Sequence, residues 1–458
     1  MNLRERLRSR FARRTSQRLT GETPSAWRLV GGLALLVAVG TVLLLLPGVG
    51  ATDRLTIGEA AFTATSASSV TGLSVITPAT DLTLFGQIIL MILIQLGGVG
   101  FMALTVLTFW LLRRKVSLAD RIALQDSLGL ALPRTILKIA GRSLLVVLAI
   151  EGLGALALWW PWRPLLGEER ALFYGLFHAV SAFCNAGFDL FTGLPGFTAG
   201  IPRDRTTLTI FSVLIVAGGL GIPVWGDLFW RRGRLTLHSR LTLTVSFVLI
   251  ILGAVGIYLA ERQTGGVLET VPWPIGIPGA IFQSISARTA GFSVLPSFAA
   301  LTPATQWLIS GLMFVGTAPA SMGGGITTGT LVVLALAVWG YARGLPNAQV
   351  SGRTVSRDTV RRAIAVLVVS LLLVGLGTWV LLMTQDATMD QAMFEVVSAF
   401  ATTGLSLDFT SQLNWFGRLV IMGMMFWGRL GALTIFLALA RQNRPQPLSY
   451  PEEQLLIG

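Results

Sequence analysis

The sequence predicts an all-α integral membrane protein: eight apolar transmembrane helices around four short re-entrant helices, all arranged about one axis. Three observations lead there. First, 53% of the 458 residues are hydrophobic and only 12% are charged, with a mean hydropathy of +0.71; that is too little polar surface for a soluble globule of this size. Second, long apolar runs come in pairs: roughly 27–46 and 83–112, 135–160 and 206–230, 240–260 and 304–340, 361–383 and 413–440. Third, one copy of a short motif stands inside each pair: FTATSASSVTGL from Phe62, FHAVSAFCNAGF from Phe177, FQSISARTAGF from Phe282 and FEVVSAFATTGL from Phe394.

Each copy reads Phe, three residues, Ser-Ala, three or four residues, and then a glycine: Gly72, Gly187, Gly291 and Gly404. The period is too long for a solenoid. A helix-compatible segment of about 12 to 15 residues is too short to cross a bilayer at ~1.5 Å per residue, so it enters and returns. Non-helical backbone at membrane depth is tolerated only where protein buries it or where it lines a water-filled cavity. Four such loops on one axis meet that condition together.

An even number of spans leaves both termini on one side. The N-terminal arm carries Arg4, Arg6, Arg8, Arg10, Arg13, Arg14 and Arg18, as many basic residues as all the loops on the opposite side together. The positive-inside rule therefore puts both termini in the cytoplasm, and the glycine loops open outward. The net charge of +13 reads as membrane topology and not as a nucleic-acid surface. The first apolar run is longer than a signal-peptide h-region and is kept as a span. The single cysteine, Cys184, excludes an internal disulfide. Two histidines and almost no acids within the spans argue against an enzyme.

Val70, Thr71 and Gly72 end the first loop. Asn185, Ala186 and Gly187 end the second, Thr289, Ala290 and Gly291 the third, and Thr402, Thr403 and Gly404 the fourth. None is ionisable. A ring built from them offers backbone carbonyls and a few side-chain oxygens, which suit a hard monovalent cation stripped of part of its water. Glycine permits positive φ, and the C-terminal ends of four short helices add partial negative charge. Small residues also serve helix packing in membranes; it is the fourfold recurrence that favours a permeation path. The absence of a carboxylate ring disfavours a calcium-type filter.

The chain resembles the Trk/Ktr/HKT superfamily of potassium transporters, and most of all its bacterial KtrB membrane subunits. SSVTGL (68–73), SAFCNAGF (181–188), SARTAGF (286–292) and FEVVSAFATTGLS (394–406) carry the resemblance, which covers about residues 27–440. It implies four M1-P-M2 repeats in pseudo-fourfold arrangement around one pore, with the loop residues above as selectivity filter and potassium as the transported ion. It also implies a homodimer in the bacterial inner membrane and a cytosolic KtrA/TrkA-like regulatory ring. Sodium is a candidate coupling or activating ion, and a nucleotide (ATP/ADP or NAD) belongs to the partner subunit only. The alternatives are a sodium-permeable or sodium/potassium symporting member and, more remotely, a non-transport membrane assembly protein.

Inside the third repeat, VGTAPASMGGGITTG (315–329) interrupts the second apolar run with residues that do not sustain a helix. No Gly-Lys-Ser/Thr follows, so a phosphate cradle is disfavoured; a flexible gate and plain helix packing remain. The family position resembles an intramembrane gating loop, with Gly316, Ala318, Ser321, Gly323, Gly324 and Gly325 as its candidate residues. This chain has Thr327 where a lysine is common in the family. Arg429 sits near the middle of the last span, where a lone charge costs about 2.5 to 3.5 kcal/mol on insertion scales. The family position makes it a positive charge beside the conduction path that contacts this loop; the alternative is an arginine snorkelling to the cytoplasm.

His178 and Glu395 share one slot of the motif and are read as braces for their loops. Glu151 is alone in its span. Arg288 is expected to reach an outer or neighbouring-loop acceptor, and Asp189 and Asp408 stand where they could draw cations to the mouth. The expected divisions are an arm (1–26), repeat 1 (27–112), a cytoplasmic linker (113–134), repeat 2 (135–232), repeat 3 with its broken second span (233–343), repeat 4 (344–441) and a tail (442–458). The mixed-charge linker suits either a regulatory partner or an anionic lipid surface.

Overall fold

The computed structural model describes residues 25–112, 136–197, 200–229, 235–295 and 298–431. The basic arm apart from residues 25 and 26, the 113–134 linker and the 442–458 tail lie outside them, as does the last part of the 413–440 run.

The described chain is helical apart from one small antiparallel hairpin, β1 (Gln349–Val350) with β2 (Arg353–Thr354). Four times, a long helix is followed by a short one and then by a further apolar helix. The first set is α1 (Ser25–Leu44), α2 (Ile57–Ser69), the single turn α3 (Pro78–Asp81) and α4 (Leu84–Leu112). The second is α5 (Ile136–Leu166), α6 (Glu168–Phe183), α7 (Arg205–Gly219) and α8 (Ile222–Phe229). The third is α9 (Leu237–Glu261), α10 (Trp273–Ser286), α11 (Pro303–Phe314) and α12 (Thr328–Ala342), and the fourth is α13 (Arg357–Thr384), α14 (Met389–Ala401) and α15 (Trp415–Leu430).

Side-chain oxygens fix many of the starts. Thr56 with Glu59 and Thr388 with Gln391 form capping boxes at α2 and α14. Thr236, Thr302, Thr327 and Ser356 cap α9, α11, α12 and α13. Each satisfies a backbone N–H that would otherwise be orphaned at a helix end.

The burial pattern is inverted relative to a water-soluble protein. The long helices expose Leu35, Leu153, Phe247, Leu252, Leu372 and Trp379, whereas the short α2 buries Thr63, Thr65, Ser66, Ser68 and Ser69. Apolar surface on this scale is stable against hydrocarbon and not against water. The molecule is a mostly helical membrane protein. Gly141–Leu166, Leu237–Glu261 and Arg357–Thr384 are each long and apolar enough to span by themselves.

The run 206–230, expected as one span, is a bent pair: α7 and the following helix meet at 106°, with Gly221 at φ +79° in the break. The third repeat is broken as expected, since no helix runs between Phe314 and Thr328.

Where the short helices end, the neighbouring helices carry glycine for lack of room. A methyl group on Gly97 of α4 would lie 2.3 Å from the Ser68 carbonyl oxygen. The corresponding distances are 1.7 Å from Gly218 of α7 to the Phe183 oxygen and 1.8 Å from Gly428 of α15 to the Phe400 oxygen. Backbone cannot yield as a flexible side chain would, so overpacking here displaces the end of a short helix. Gly428→Ala should therefore lower the thermal midpoint of the detergent-purified protein by several degrees, following a loss of about 1–3 kcal/mol. Gly423→Ala, on the same helix with open space around it, should leave the midpoint unchanged in the same fluorescence-detected melt.

Candidate functional site

The four glycine loops have one backbone design. Val70, Asn185, Thr289 and Thr402 all take left-handed conformations, with φ of 58°, 58°, 74° and 51°. Two residues later Gly72, Gly187, Gly291 and Gly404 turn left-handed again, with φ of 91°, 69°, 79° and 92°. The sequence announces the glycines. It does not announce the first turn, because a β-branched Val or Thr is a poor left-handed residue and only Asn185 carries that preference.

The serine of each Ser-Ala pair holds the double turn in place. Its carbonyl accepts the N–H of Thr71 (from Ser66, 2.8 Å), Ala186 (from Ser181, 2.7 Å), Ala290 (from Ser286, 2.9 Å) and Thr403 (from Ser398, 2.9 Å). Its hydroxyl pins the following residues. The Ser66 and Ser398 hydroxyls accept from the Gly72 and Gly404 N–H at 3.0 and 3.1 Å. The Ser181 and Ser286 hydroxyls donate to the Phe188 and Phe292 carbonyls at 2.8 and 2.6 Å. Buried backbone groups that would otherwise be unpaired are thus satisfied by one small side chain per loop.

The loops meet one another in a closed cycle. A methyl group on Gly72 would lie 2.3 Å from the Ala186 carbonyl oxygen, and one on Gly187 2.8 Å from that of Ala290. One on Gly291 would lie 2.1 Å from the Thr403 oxygen, and one on Gly404 2.2 Å from the Thr71 oxygen, which returns to the first loop. The carbonyl oxygens of Thr71, Ala186, Ala290 and Thr403 therefore form one ring, each against the glycine of another loop. The side chains of Asn185 and Thr289 join two of the loops. With the amide turned to donate to Ala182 O (3.0 Å) and Ile215 O (3.2 Å), its oxygen accepts from the Thr289 hydroxyl at 3.2 Å.

Behind the ring, the residue after each motif phenylalanine braces the chain leaving the glycine loop in three of the four copies. His178 Nε2 lies 3.0 Å from Asp189 Oδ1, the Gln283 oxygen accepts from Val294 N–H at 3.3 Å, and Glu395 accepts from Ser406 (2.7 Å) and Thr410 hydroxyls. Asp189 also accepts from the N–H groups of Phe191 and Thr192, both at 2.8 Å. Asp408 is exposed in a left-handed turn. Of the two acceptors expected for Arg288, outer or neighbouring-loop, the second is found: it donates to the Gly316 carbonyl (3.1 Å), and also to Ser246, tying the third loop to the chain break. Glu151 is buried, and Gln95 donates to it at 2.9 Å.

The segment between α11 and α12 lies directly against the ring. Gly323 has no room for a methyl group beside the Thr289 hydroxyl (2.1 Å), and the Gly324 N–H donates to the Thr402 hydroxyl at 3.0 Å. Ala318 and Met322 N–H groups donate to the carbonyls of Gly219 (3.1 Å) and Gly218 (3.2 Å). Gly316 accepts from Arg288, Gly325 turns at φ +74°, and the Ser321 hydroxyl meets that of Thr317 at 2.8 Å.

Arg429 is the charge in this layer. Its guanidinium donates to the Met322, Gly97 and Gly98 carbonyls, the last at 2.8 Å. It is therefore turned inward to the chain break, with three carbonyl dipoles offsetting its desolvation. A second, shorter repeat in the sequence locates it: GGVG (97–100), GGLG (218–221) and GRLG (428–431) put Arg429 where the other helices have Gly98 and Gly219.

The profile of the TrkH family, described as a cation transport protein, matches residues 35–449. The chain belongs to the TrkH cation transport family. It is a multi-pass membrane transporter and not an enzyme. It is 36% identical to the Ktr system potassium uptake protein B of Vibrio alginolyticus, over 91% of each chain. It is 34% identical to the protein of the same name from Bacillus subtilis (strain 168), over 93% of this chain and 95% of the relative. Identity to the potassium/sodium uptake protein NtpJ of Enterococcus hirae is 34%, over 94% and 96%. The fold is that of the crystal structure of the potassium transporter TrkH from Vibrio parahaemolyticus, with a TM-score of 0.71 at 18% identity, covering 90% of this chain and 83% of that one.

Next to the ring of this TrkH-family site, burial pushes the Asp189 carboxyl up, but the His178 ring and the Thr192 and Phe191 donors outweigh it and hold it below its ordinary value of 3.8. A depressed carboxylate stabilises the fold fully above that ordinary value, and the contribution is lost as pH falls through the lower folded value. Asp189→Asn should accordingly lower the melting temperature clearly at pH 7 and progressively less below pH ~4, in melts taken across that range.

Proposed function

We propose that this chain is a potassium uptake transporter whose conduction path runs through the ring of the four glycine loops. The observation that carries the reading is the cyclic interlock, Gly72 against Ala186, Gly187 against Ala290, Gly291 against Thr403 and Gly404 against Thr71. A pseudo-fourfold axis accounts for that closure. On this reading the molecule comprises four M1-P-M2 repeats, with eight transmembrane helices and four re-entrant pore helices. The names of the Ktr relatives, potassium uptake proteins, support potassium as the ion.

Uncharged carbonyls replace part of the ion's water, and the C-terminal ends of α2, α6, α10 and α14 each add about half a negative charge at the same place. The ion is stabilised without a buried carboxylate, so it also leaves readily. Below the filter, the 315–327 segment and Arg429 act as the gate. The segment hydrogen-bonds to Thr402 and packs on Thr289, and Arg429 binds its Met322 carbonyl. A fixed positive charge there opposes cation flow until the segment and arginine move together.

The termini lie in the cytoplasm by the distribution of basic residues. The chain works as a homodimer with a cytosolic regulatory ring that binds the nucleotide; the Ktr system named for its relatives supports such a partner. A sodium-permeable or sodium/potassium symporting protein is the second reading. A single ring discriminates less than several in series, and one relative is named a potassium/sodium uptake protein.

The deciding measurement is cation flux into liposomes containing the purified protein. Wild type should pass potassium in preference to sodium. Gly404→Ser, which must move backbone because a methyl group there already meets the Thr71 oxygen at 2.2 Å, should abolish the flux or its selectivity while the protein still purifies as an assembled species. Equal passage of both ions by wild type would favour the sodium reading, and an unaltered Gly404→Ser would remove the carbonyl ring as the filter. Arg429→Ala should raise potassium flux severalfold, since its removal takes a positive charge from the path and releases Met322; unchanged flux would count against the gate.

A further inference from the structure

A cavity of about 330 Å³ opens between α9, α12 and α13, on the far side of the 315–327 segment from the filter ring. Pro319 and Thr327, from that segment, form part of its wall. The remaining wall has two characters. Leu241, Val333 and Val366 are apolar, while His238, Thr330, Thr359 and Arg362 bring donors to the same space.

Among the described residues, one ring nitrogen in this wall is buried without a partner, and one guanidinium of the same wall is uncommitted. Nε2 of His238 is buried and has no hydrogen-bond partner among the described residues. Arg362 is exposed at the rim and makes no hydrogen bond or ion pair among them. A buried ring nitrogen without a partner is costly, and a guanidinium free of partners among the described residues, on the same wall as hydroxyls, matches a phosphate diester. The surroundings are apolar. Along α12 from Thr327, Val338, Trp339 and Tyr341 are exposed, with the Arg343 guanidinium 4.6 Å over the Trp339 ring. Exposed Trp and Tyr beside an arginine mark the membrane interface.

We infer that this crevice binds one anionic phospholipid. The phosphate takes Arg362, His238 and the Thr330 and Thr359 hydroxyls, while an acyl chain lies along Leu241, Val333 and Val366. Charge complementarity and the mixed lining select this occupant over a neutral lipid or free phosphate, which would leave either the guanidinium or the apolar wall unmatched. A lipid seated there packs against Pro319 and Thr327 and braces the segment from behind. The binding stands independently of the transport reading; only its consequence for flux rests on that reading.

The test is native mass spectrometry of the full chain purified in detergent and titrated with phosphatidylglycerol or phosphatidylcholine of identical acyl chains. Wild type should retain phosphatidylglycerol preferentially. Arg362→Gln should weaken that retention roughly fivefold, the equivalent of about 1 kcal/mol for one basic residue at an anionic lipid surface. Arg361→Gln, an equal charge change on an adjacent exposed residue outside the cavity, should leave retention unchanged. Val333→Trp, which fills the apolar part, should also displace the lipid.

Equal loss in Arg361→Gln and Arg362→Gln would reduce the effect to surface charge and overturn the proposal, as would the absence of any preference over phosphatidylcholine. Retention of phosphatidylglycerol in Val333→Trp with loss of a dimer would assign the crevice to a second copy of the chain and overturn it as well. Because retention is read without transport, its failure and the failure of the potassium reading are distinguishable.

Discussion

The contact on which the rest depends is that of a glycine Cα against a carbonyl oxygen of another loop, repeated four times in a closed cycle. Contacts this short leave no room for a side chain and so force glycine at four positions. They also require four separate stretches of chain to arrive at one place in the same conformation. The short helices bring them there, and a serine in each copy folds the loop back onto the helix that delivered it. Polar, small and buried residues at the centre, with large apolar residues outside, are the solution available when lipid rather than water surrounds the molecule.

The same shortage of space organises the next layer. Gly97, Gly218 and Gly428 let their helices approach the carbonyl ends of three short helices, and the residue that follows each glycine faces the same layer. In two repeats that residue is again glycine; in the fourth it is Arg429, whose guanidinium spans to Gly97, Gly98 and Met322. A repeat architecture makes such a substitution conspicuous. Two copies set the size of the slot, and the third fills it with a charge that can be tolerated only because carbonyl oxygens accept from it.

Much of this was legible beforehand. Composition required a membrane protein, the paired apolar runs led to the helices, and the fourfold motif identified the loop residues now found in the ring. The break between Phe314 and Thr328 could be read from its glycines and proline. The bend at Leu220–Gly221 was harder, because the apolar pattern continues across it and hydropathy is indifferent to helix direction. For Arg288 the sequence left open an outer or a neighbouring-loop acceptor; its donors run to Ser246 and to Gly316 of the chain break, a choice set by which backbone carbonyls lie within reach after folding.

The sequence by itself determined the solvent, the repeat and the residues of each loop, because hydrophobicity and recurrence are local properties of the chain. Only the tertiary structure decided that Val70, Thr289 and Thr402 adopt a conformation their side chains disfavour and that each glycine meets a carbonyl of another loop. It also decided that Arg429 turns toward the chain break and that a crevice opens behind the 315–327 segment. The ring and the Arg429 contacts join residues about a hundred or more positions apart, where no local preference acts and packing selects the outcome.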